Sequence, residues 1–141
     1  MIGPVRDLPP DLRGRVRFLQ EEPVGGGPLA ALEVALLAST APVIVILTGD
    51  SPNAGASVAP LLAAVTSTHS AVLCPTDRRP NPLTAAYRRE ALQAALDQLQ
   101  PTANGRARDV LDLLPWHEVA APPAADQDID TAADAERAGF N

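Results

Sequence analysis

The sequence predicts an α/β protein of three layers, in which helices cover both faces of a mostly parallel sheet. Candidate strands and helices alternate over about 70 residues, which is the pattern of βαβ units. Residues 43–48 are β-branched and apolar on both faces, as expected of a strand that is covered on two sides. The chain has 141 residues, which predicts a single domain spanning residues 1–141.

Each element has its own local signal. Residues 3–14, rich in proline and arginine, predict a loop, and so do residues 76–82 and 121–127. Apolar runs predict strands at residues 16–19, 43–48 and 70–74, and we expect all of these to lie parallel in one sheet. Leucines and valines at helical spacing predict helices around residues 29–36, 58–65, 92–99 and 110–114, with a last helix beginning near Thr131.

Composition excludes several classes of protein. Seventeen acids against eleven bases give a net charge of −6, which is the wrong sign for a protein that follows nucleic-acid phosphates. A single cysteine excludes an internal disulfide framework. The longest apolar run is too short to span a bilayer, and residues 1–6 do not resemble a signal peptide. We therefore expect a cytoplasmic protein with no nucleic-acid or membrane partner. All eleven bases are arginine, so the sequence offers no lysine chemistry.

Two predicted loops follow strands at the end where open α/β sheets bind ligands. Residues 25–27, the glycine loop, precede Pro28 and a helix, so their N–H groups suit a phosphate, although a plain tight turn fits equally well. Asp50 follows the buried strand and suits Mg²⁺, and the alternative is a cap for the next helix. Asp126, Asp128 and Asp130 occur at every second position, so in an extended chain they share one face. They could form a group of ligands, and the alternative is a solvated acidic loop.

Other reactive side chains have simpler interpretations. His69 and His117 have no ligand-type neighbour at helical spacing and are expected to be surface or satisfied histidines. Cys74 ends an apolar strand and is expected to be a small core residue. Arg78 and Arg79 could meet an anionic substrate or lie on a solvated loop.

Four segments in order resemble the molybdenum cofactor guanylyltransferase family, within the wider MobA-like nucleotidyltransferases. Residues 21–32 (EEPVGGGPLAAL) are similar to its acid-then-GPLAG stretch, and residues 45–52 (VILTGDSP) to its strand ending in D-x-P. Residues 79–88 (RPNPLTAAYR) resemble its QPL-x-A-x-Y/W segment, with Asn81 in place of glutamine. Residues 128–134 (DIDTAAD) resemble its NINTPEDL ending, with aspartates for both asparagines.

The resemblance implies a Rossmann-like nucleotidyltransferase fold that transfers GMP from GTP to the terminal phosphate of molybdopterin. It implies that Asp50 is the catalytic residue and a ligand of Mg²⁺, with Asp130 as a second ligand about 6–8 Å away. The implied nucleotide-binding residues are Glu21, Gly27, Pro28 and Leu29. The implied residues on the pterin side are Asn81 and Pro82.

One family feature is missing from the sequence. The family opens with an LAGGxSxRMGxDK loop that holds the triphosphate, whereas residues 1–4 resemble the end of its second strand. The sequence thus resembles the C-terminal two-thirds of the family fold, and a fragment, a mis-assigned start and a short paralogue all fit. Three functions stay open: the guanylyltransferase, an inactive or regulatory binding module, and a transferase for another nucleotide or acceptor.

The absence of the family's N-terminal segment from this sequence implies two properties of the isolated chain. A sheet without its first strands has an uncovered apolar edge, so we expect self-association through that edge or an exposed apolar patch around it. Without the opening loop, we expect weak binding of guanine nucleotides and transfer close to background.

Overall fold

The computed structural model describes residues 1–51, 53–75 and 79–122. The α-helices are α1 Pro28–Leu37, α2 Val58–Ala64 and α3 Arg89–Gln98, with 3-10 helices at Ala54–Ser57 and Ala107–Asp112. The strands are β1 Val43–Ile46, β2 Ser70–Cys74, β3 Asn81–Arg88 and β4 Trp116–Ala120. Helices therefore form where the helical spacing of apolar residues predicts them, and β1 and β2 form within the predicted strands.

The sheet is mixed, with the strand order β1–β3–β2–β4. Strand β3 pairs antiparallel with both β1 and β2, whereas β4 pairs parallel with β2. The prediction of a mostly parallel sheet is therefore wrong, although β1, β2 and β4 do run in one direction. The reason is the short connection between β2 and β3: residues 75–80 are too few for a crossover, which needs a dozen or more, so β3 returns antiparallel.

Strand β3 is not predicted by the sequence, because its first two residues, Asn81 and Pro82, fall in the proline-rich segment interpreted as a loop and the rest has no alternating apolar pattern. The structure accommodates Pro82 by an irregularity in the pairing with β2. Val72 lies opposite Ala85, but the next residue, Leu73, lies opposite Asn81. The bulged part of β3 between these two pairs needs no continuous ladder of hydrogen bonds, which is where proline is tolerated in a sheet.

The predicted strand at residues 16–19 is also wrong. Only Leu19 pairs, in an isolated parallel bridge with Ile2. The Gly3 N–H donates to the Leu19 carbonyl (2.7 Å) and the Leu19 N–H donates to the Met1 carbonyl (2.9 Å). The Arg17 carbonyl accepts a hydrogen bond from the Met1 ammonium group (2.6 Å), but residues 16–18 form no bridge with a strand, so their alternating pattern does not produce one.

Helices cover both faces of the sheet, which confirms the three layers. One core cluster lies between the sheet and helices α1 and α3, and it includes Leu32, Leu96 and the fully buried Tyr87. The other cluster lies between the sheet and α2 and includes Leu61 and Val119. Alternate residues of each strand enter opposite clusters, so β1 is apolar on both faces because both faces are buried.

The outer edge of β1 carries unpaired main-chain groups. Arg89 lies opposite Pro42 and donates its N–H to the Pro42 carbonyl (2.9 Å). Because bonding direction alternates along an antiparallel pair, the N–H and C=O groups of Val43 and Val45 point away from β3. No other strand of the described residues pairs with this edge. The edge is apolar and uncharged, which favours pairing with another chain, although β1 has only four residues.

We expect the chain to self-associate through this edge and Leu47→Lys to weaken the association. Leu47 follows β1 and is 38% exposed, so a lysine there places a charge beside the edge at little cost to the core. Leu62→Lys is the matched control, because Leu62 is 47% exposed but lies on α2. Sedimentation velocity should show that Leu47→Lys lowers the association constant of the dimer about tenfold and that Leu62→Lys leaves it unchanged. A wild-type chain that stays monomeric at high concentration would contradict this expectation.

Candidate functional site

The topology gathers the predicted site segments at one end of the sheet, which we call the carboxyl end. Strands β1 and β2 both end there, and the antiparallel β3 begins there at Asn81. Helix α1 packs against β1 and is joined to it by residues 38–42 only, so the chain reverses and the glycine loop lies at the same end. Strand β4, parallel to β2, also leads to this end, where the described chain stops at Pro122.

Asp50 lies in an exposed turn that follows β1 at the carboxyl end. Its carboxylate makes no hydrogen bond or ion pair within the described ranges. The alternative role as a helix cap finds no support, since the N-cap position of the following 3-10 helix is Asn53. Asp50 is therefore an exposed carboxylate with its oxygens available to a ligand.

Two grooves meet at Asp50. The first, with a volume of about 480 Å³, also contains Arg6, Phe18 and the segment of residues 1–4. The second, of about 650 Å³, runs along the outer edge of β1. One wall is β1 with the residues that follow it, and the other is Met1, Ile2 and Leu19. Helix α1 contributes Ala31, Leu32 and Ala35, and Ala38 follows it. Sequence reasoning missed Arg6 because residues 3–14 carry no periodic signal that would place them beside Asp50.

The glycine loop is closed by its own chain. Glu21 Oε1 accepts a hydrogen bond from the Gly25 N–H (3.1 Å), and the Gly26 N–H donates to the Pro23 carbonyl (2.8 Å). Gly27 has a φ of 89°, which only glycine adopts freely, and it is the N-cap of α1. Glu21 thus uses one carboxylate oxygen to fix the loop and has the other available.

The N–H of Gly27 is unpaired within the part of the chain that the structure describes. The first-turn N–H groups of Leu29 and Ala30 have no partner within α1, as at any helix start, and Pro28 has no N–H. Gly27 and the first turn of α1 together present main-chain donors, with the positive end of the helix dipole behind them.

The polar groups of Asn81 and Pro82 form hydrogen bonds within the protein. The Asn81 Nδ2 donates to Thr84 Oγ1 (3.2 Å), and its Oδ1 accepts from the Leu83 N–H (3.0 Å). The Pro82 carbonyl accepts a hydrogen bond from the Tyr87 hydroxyl (2.7 Å). Both residues lie at the carboxyl end and shape the start of β3, and their contact with a pterin stays a prediction.

Cys74 is buried at the end of β2, which agrees with its interpretation as a core residue. Burial raises the pKa of its thiol, and the carboxylate of Glu118 on the neighbouring β4 raises it further. The Cys74 thiol therefore stays protonated at neutral pH and is not a nucleophile. The imidazoles of His69 and His117 stack with ring centres 4.4 Å apart, a pairing that the sequence did not predict.

Part of the predicted metal site lies outside the described residues. Asp130, with Asp126, Asp128 and Arg78, falls there, so the distance between Asp50 and Asp130 stays a prediction. Among residues 1–51, 53–75 and 79–122, no three histidine, cysteine, aspartate or glutamate side chains cluster as metal ligands would. None of the helices in these ranges is long and apolar enough to cross a membrane.

The profile of the MobA-like NTP transferase domain matches residues 3–120. The chain belongs to this family. The match includes β1 with Asp50, the glycine loop and the start of β3, which are the three segments that the topology brings to the carboxyl end. Membership in the MobA-like family therefore agrees with the motifs read from the sequence.

Two solved structures share the fold. One is a protein from Aquifex aeolicus VF5, with a TM-score of 0.61 and 17% identity over 74% of this chain and 57% of that chain. The other is the molybdopterin-guanine dinucleotide biosynthesis protein A from Archaeoglobus fulgidus, with a TM-score of 0.60 and 19% identity over 91% of this chain and 69% of that chain. This MobA-like chain thus spans somewhat more than half of the first structure and about two-thirds of the second. A comparison with curated protein sequences finds no match.

Proposed function

We propose that this MobA-like chain is a nucleotidyltransferase domain that transfers GMP from GTP to molybdopterin. The observation that supports it most directly is Asp50, an exposed carboxylate without a protein partner in the described ranges, at the same end of the sheet as the glycine loop. The family match covers both features, and the structural relative from Archaeoglobus fulgidus is a molybdopterin-guanine dinucleotide biosynthesis protein.

In the proposed reaction, an oxygen of the terminal phosphate of molybdopterin attacks the α-phosphorus of GTP. The bond from that phosphorus to the bridging oxygen of the β-phosphate breaks, and pyrophosphate leaves with its electron pair. Positioning and charge neutralisation dominate the catalysis of such transfers. The free N–H groups of Gly27 and the first turn of α1, including that of Leu29, suit phosphate oxygens. Pro28 fixes the start of the helix, and the free oxygen of Glu21 suits a base or ribose hydroxyl.

Mg²⁺ fits the donors at the carboxyl end. This ion is usually held by one or two carboxylates together with substrate phosphates, and Asp50 offers one exposed carboxylate at this end of the sheet. Asp50 would hold it, with Asp130 as the second ligand. Asp130 follows Pro122 by eight steps along the chain, and an extended chain of that length spans up to about 27 Å. When bound, the ion would neutralise charge on the phosphates.

A binding module that does not catalyse transfer is the second candidate. The observation that favours it is the scarcity of cations: Arg6 and Arg79 are the arginines that the described residues place beside Asp50 or the start of β3. A transferase that uses another nucleotide or another acceptor would use the same carboxylate and the same glycine loop. The nucleotide is therefore varied in the experiment below.

We expect Asp50→Asn to abolish the contribution of Mg²⁺ to nucleotide binding. Removing one charge from the metal ligand should weaken GTP binding about tenfold in the presence of Mg²⁺ and leave binding without Mg²⁺ unchanged. Isothermal titration calorimetry with GTP, CTP and ATP measures this and ranks the nucleotides. Asp112→Asn is the control, because Asp112 is exposed in the 3-10 helix that precedes β4, at the other end of the sheet. Equal Mg²⁺ dependence in both variants would remove the metal role of Asp50.

A further inference from the structure

The segment that follows α3, residues 100–105, packs directly on the glycine loop. The Asn104 N–H donates a hydrogen bond to the Gly26 carbonyl (2.6 Å), and Asn104 adopts the left-handed conformation with a φ of 62°. Gly105 touches the first turn of α1 so closely that a Cβ there would lie 2.4 Å from Leu29 Cδ2. The 100–105 segment therefore contacts both parts of the proposed phosphate-binding surface.

A carboxylate on α1 holds this segment in place. Glu33 Oε1 accepts a hydrogen bond from Gln100 Nε2 (2.7 Å), and Glu33 Oε2 accepts one from the Thr102 hydroxyl (2.5 Å). Thr102 is buried, so its hydroxyl would lose its partner if Glu33 were removed. Hydrogen bonds to an ionised carboxylate are stronger than neutral ones, and both carboxylate oxygens of Glu33 serve to fasten residues 100–105 to α1.

The glycine loop is thus fixed from two sides. Glu21 holds Gly25 from within the loop, and Asn104 holds Gly26 from the neighbouring segment. Gly25 has a φ of 78° and Gly27 a φ of 89°. Without restraints, a glycine segment would also populate many other backbone conformations. Main-chain donors stabilise a charged ligand most when they already point in the required direction, because no free energy is then spent on ordering them.

We propose that Glu33 and Thr102 are positioning residues for the nucleotide: they fasten the 100–105 segment, whose Asn104 main chain fixes the glycine loop in its nucleotide-binding conformation. Neither side chain needs to touch the ligand. The inference rests on the proposed function, since it assumes that the glycine loop contacts the nucleotide. It goes beyond that function because it assigns a role to residues that none of the motifs of the sequence contains.

The test is an NMR titration of the ¹⁵N-labelled chain with GTP and Mg²⁺, at a temperature where every variant is folded. Thr102→Val removes the hydroxyl while keeping the shape, Thr102→Ser keeps the hydroxyl, and Glu33→Gln removes the charge. Asp97→Asn is the matched control, because Asp97 also accepts a hydrogen bond from a glutamine, Gln93 (2.8 Å), but lies on the exposed face of α3.

We expect Thr102→Val and Glu33→Gln to raise the dissociation constant for GTP about five- to tenfold, as for the loss of one charge-assisted hydrogen bond. They should also shift the amide signals of residues 25–27 before GTP is added and speed hydrogen exchange at the Asn104 amide. Thr102→Ser and Asp97→Asn should resemble the wild type in all three measurements.

The outcomes separate the two proposals. Variants that melt at a lower temperature but keep the wild-type glycine signals and GTP affinity would overturn the positioning role and leave the proposed function intact. A wild-type chain in which GTP shifts no amide of residues 25–29 would overturn the proposed function, and the positioning role for a nucleotide with it. This second result is visible without any variant.

Discussion

Incubated with GTP, Mg²⁺ and molybdopterin, the isolated chain is expected to release pyrophosphate at a rate close to background. In-line transfer needs cations around the β- and γ-phosphates as pyrophosphate leaves. The sequence has no lysine, and Arg88 and Arg89 lie opposite the start of β1, away from the carboxyl end. Arg6 and a single Mg²⁺ would offset only part of the charge. Since each missing donor costs on the order of 10²–10³ in rate, several missing donors bring transfer near background.

A coupled pyrophosphate assay measures this rate, with the Asp50→Asn variant as the blank. Turnover that clearly exceeds the blank would show that the described residues, together with Arg78 and residues 123–141, supply enough positive charge. The binding-module function would then be excluded. Turnover with CTP or ATP in place of GTP would support the third candidate function, a transferase for another nucleotide.

Tyr87→Ala is expected to destabilise the fold by about 3–5 kcal/mol, the usual cost of emptying a large buried aromatic site. Tyr87 is fully buried in the central strand β3, within the cluster formed with α1 and α3. Tyr87→Phe keeps the ring but leaves the Pro82 carbonyl without its hydroxyl donor, so it should cost about 1–2 kcal/mol. Urea unfolding followed by the fluorescence of Trp116, the single tryptophan, gives both values.

Leu37→Ala is the control, because Leu37 is 71% exposed and should change the free energy of unfolding by less than about 0.5 kcal/mol. Tyr87 also has a pH signature. Burial raises the pKa of its phenol, so stability is complete below the ordinary tyrosine pKa of about 10 and falls as pH rises above it. Because Tyr87 is the only tyrosine, phenolate absorbance at 295 nm should appear together with unfolding. Titration near pH 10 in the folded protein would contradict the burial of Tyr87.

The elements that the sequence predicted correctly are those whose signal is local. Residues 43–48 are apolar and β-branched throughout, and the leucines of α1 and α3 recur at helical spacing, so each pattern specifies its element without knowledge of a partner. Strand β3 has no such pattern. It contains two alanines and a proline, and it becomes a strand because β1 and β2 pair with it on either side.

The same distinction applies to the candidate site. The position of Asp50 followed from one strand and the rule that ligands bind where strands end, and the structure does place it there in an exposed turn. Arg6 and the Glu33–Thr102 contact could not be predicted. Each depends on segments that are far apart in the sequence and that meet only in the folded protein. The polar contacts of Asn81 depend on the turn at the start of β3, which the sequence analysis interpreted as a loop.

The reversed strand β3 also sets the order in which the sheet can assemble during synthesis. The hairpin of β2 and β3 closes the shortest loop, residues 75–80, so it can pair as soon as residue 88 is available. Strand β1 is made earlier but must wait for β3, because its partner in the sheet follows it by about 40 residues. Strand β4 joins last, on β2. Until Ala120 has left the ribosome, β2 is an open edge, so a nascent chain stalled before Trp116 would expose the edge of β2 in addition to the outer edge of β1.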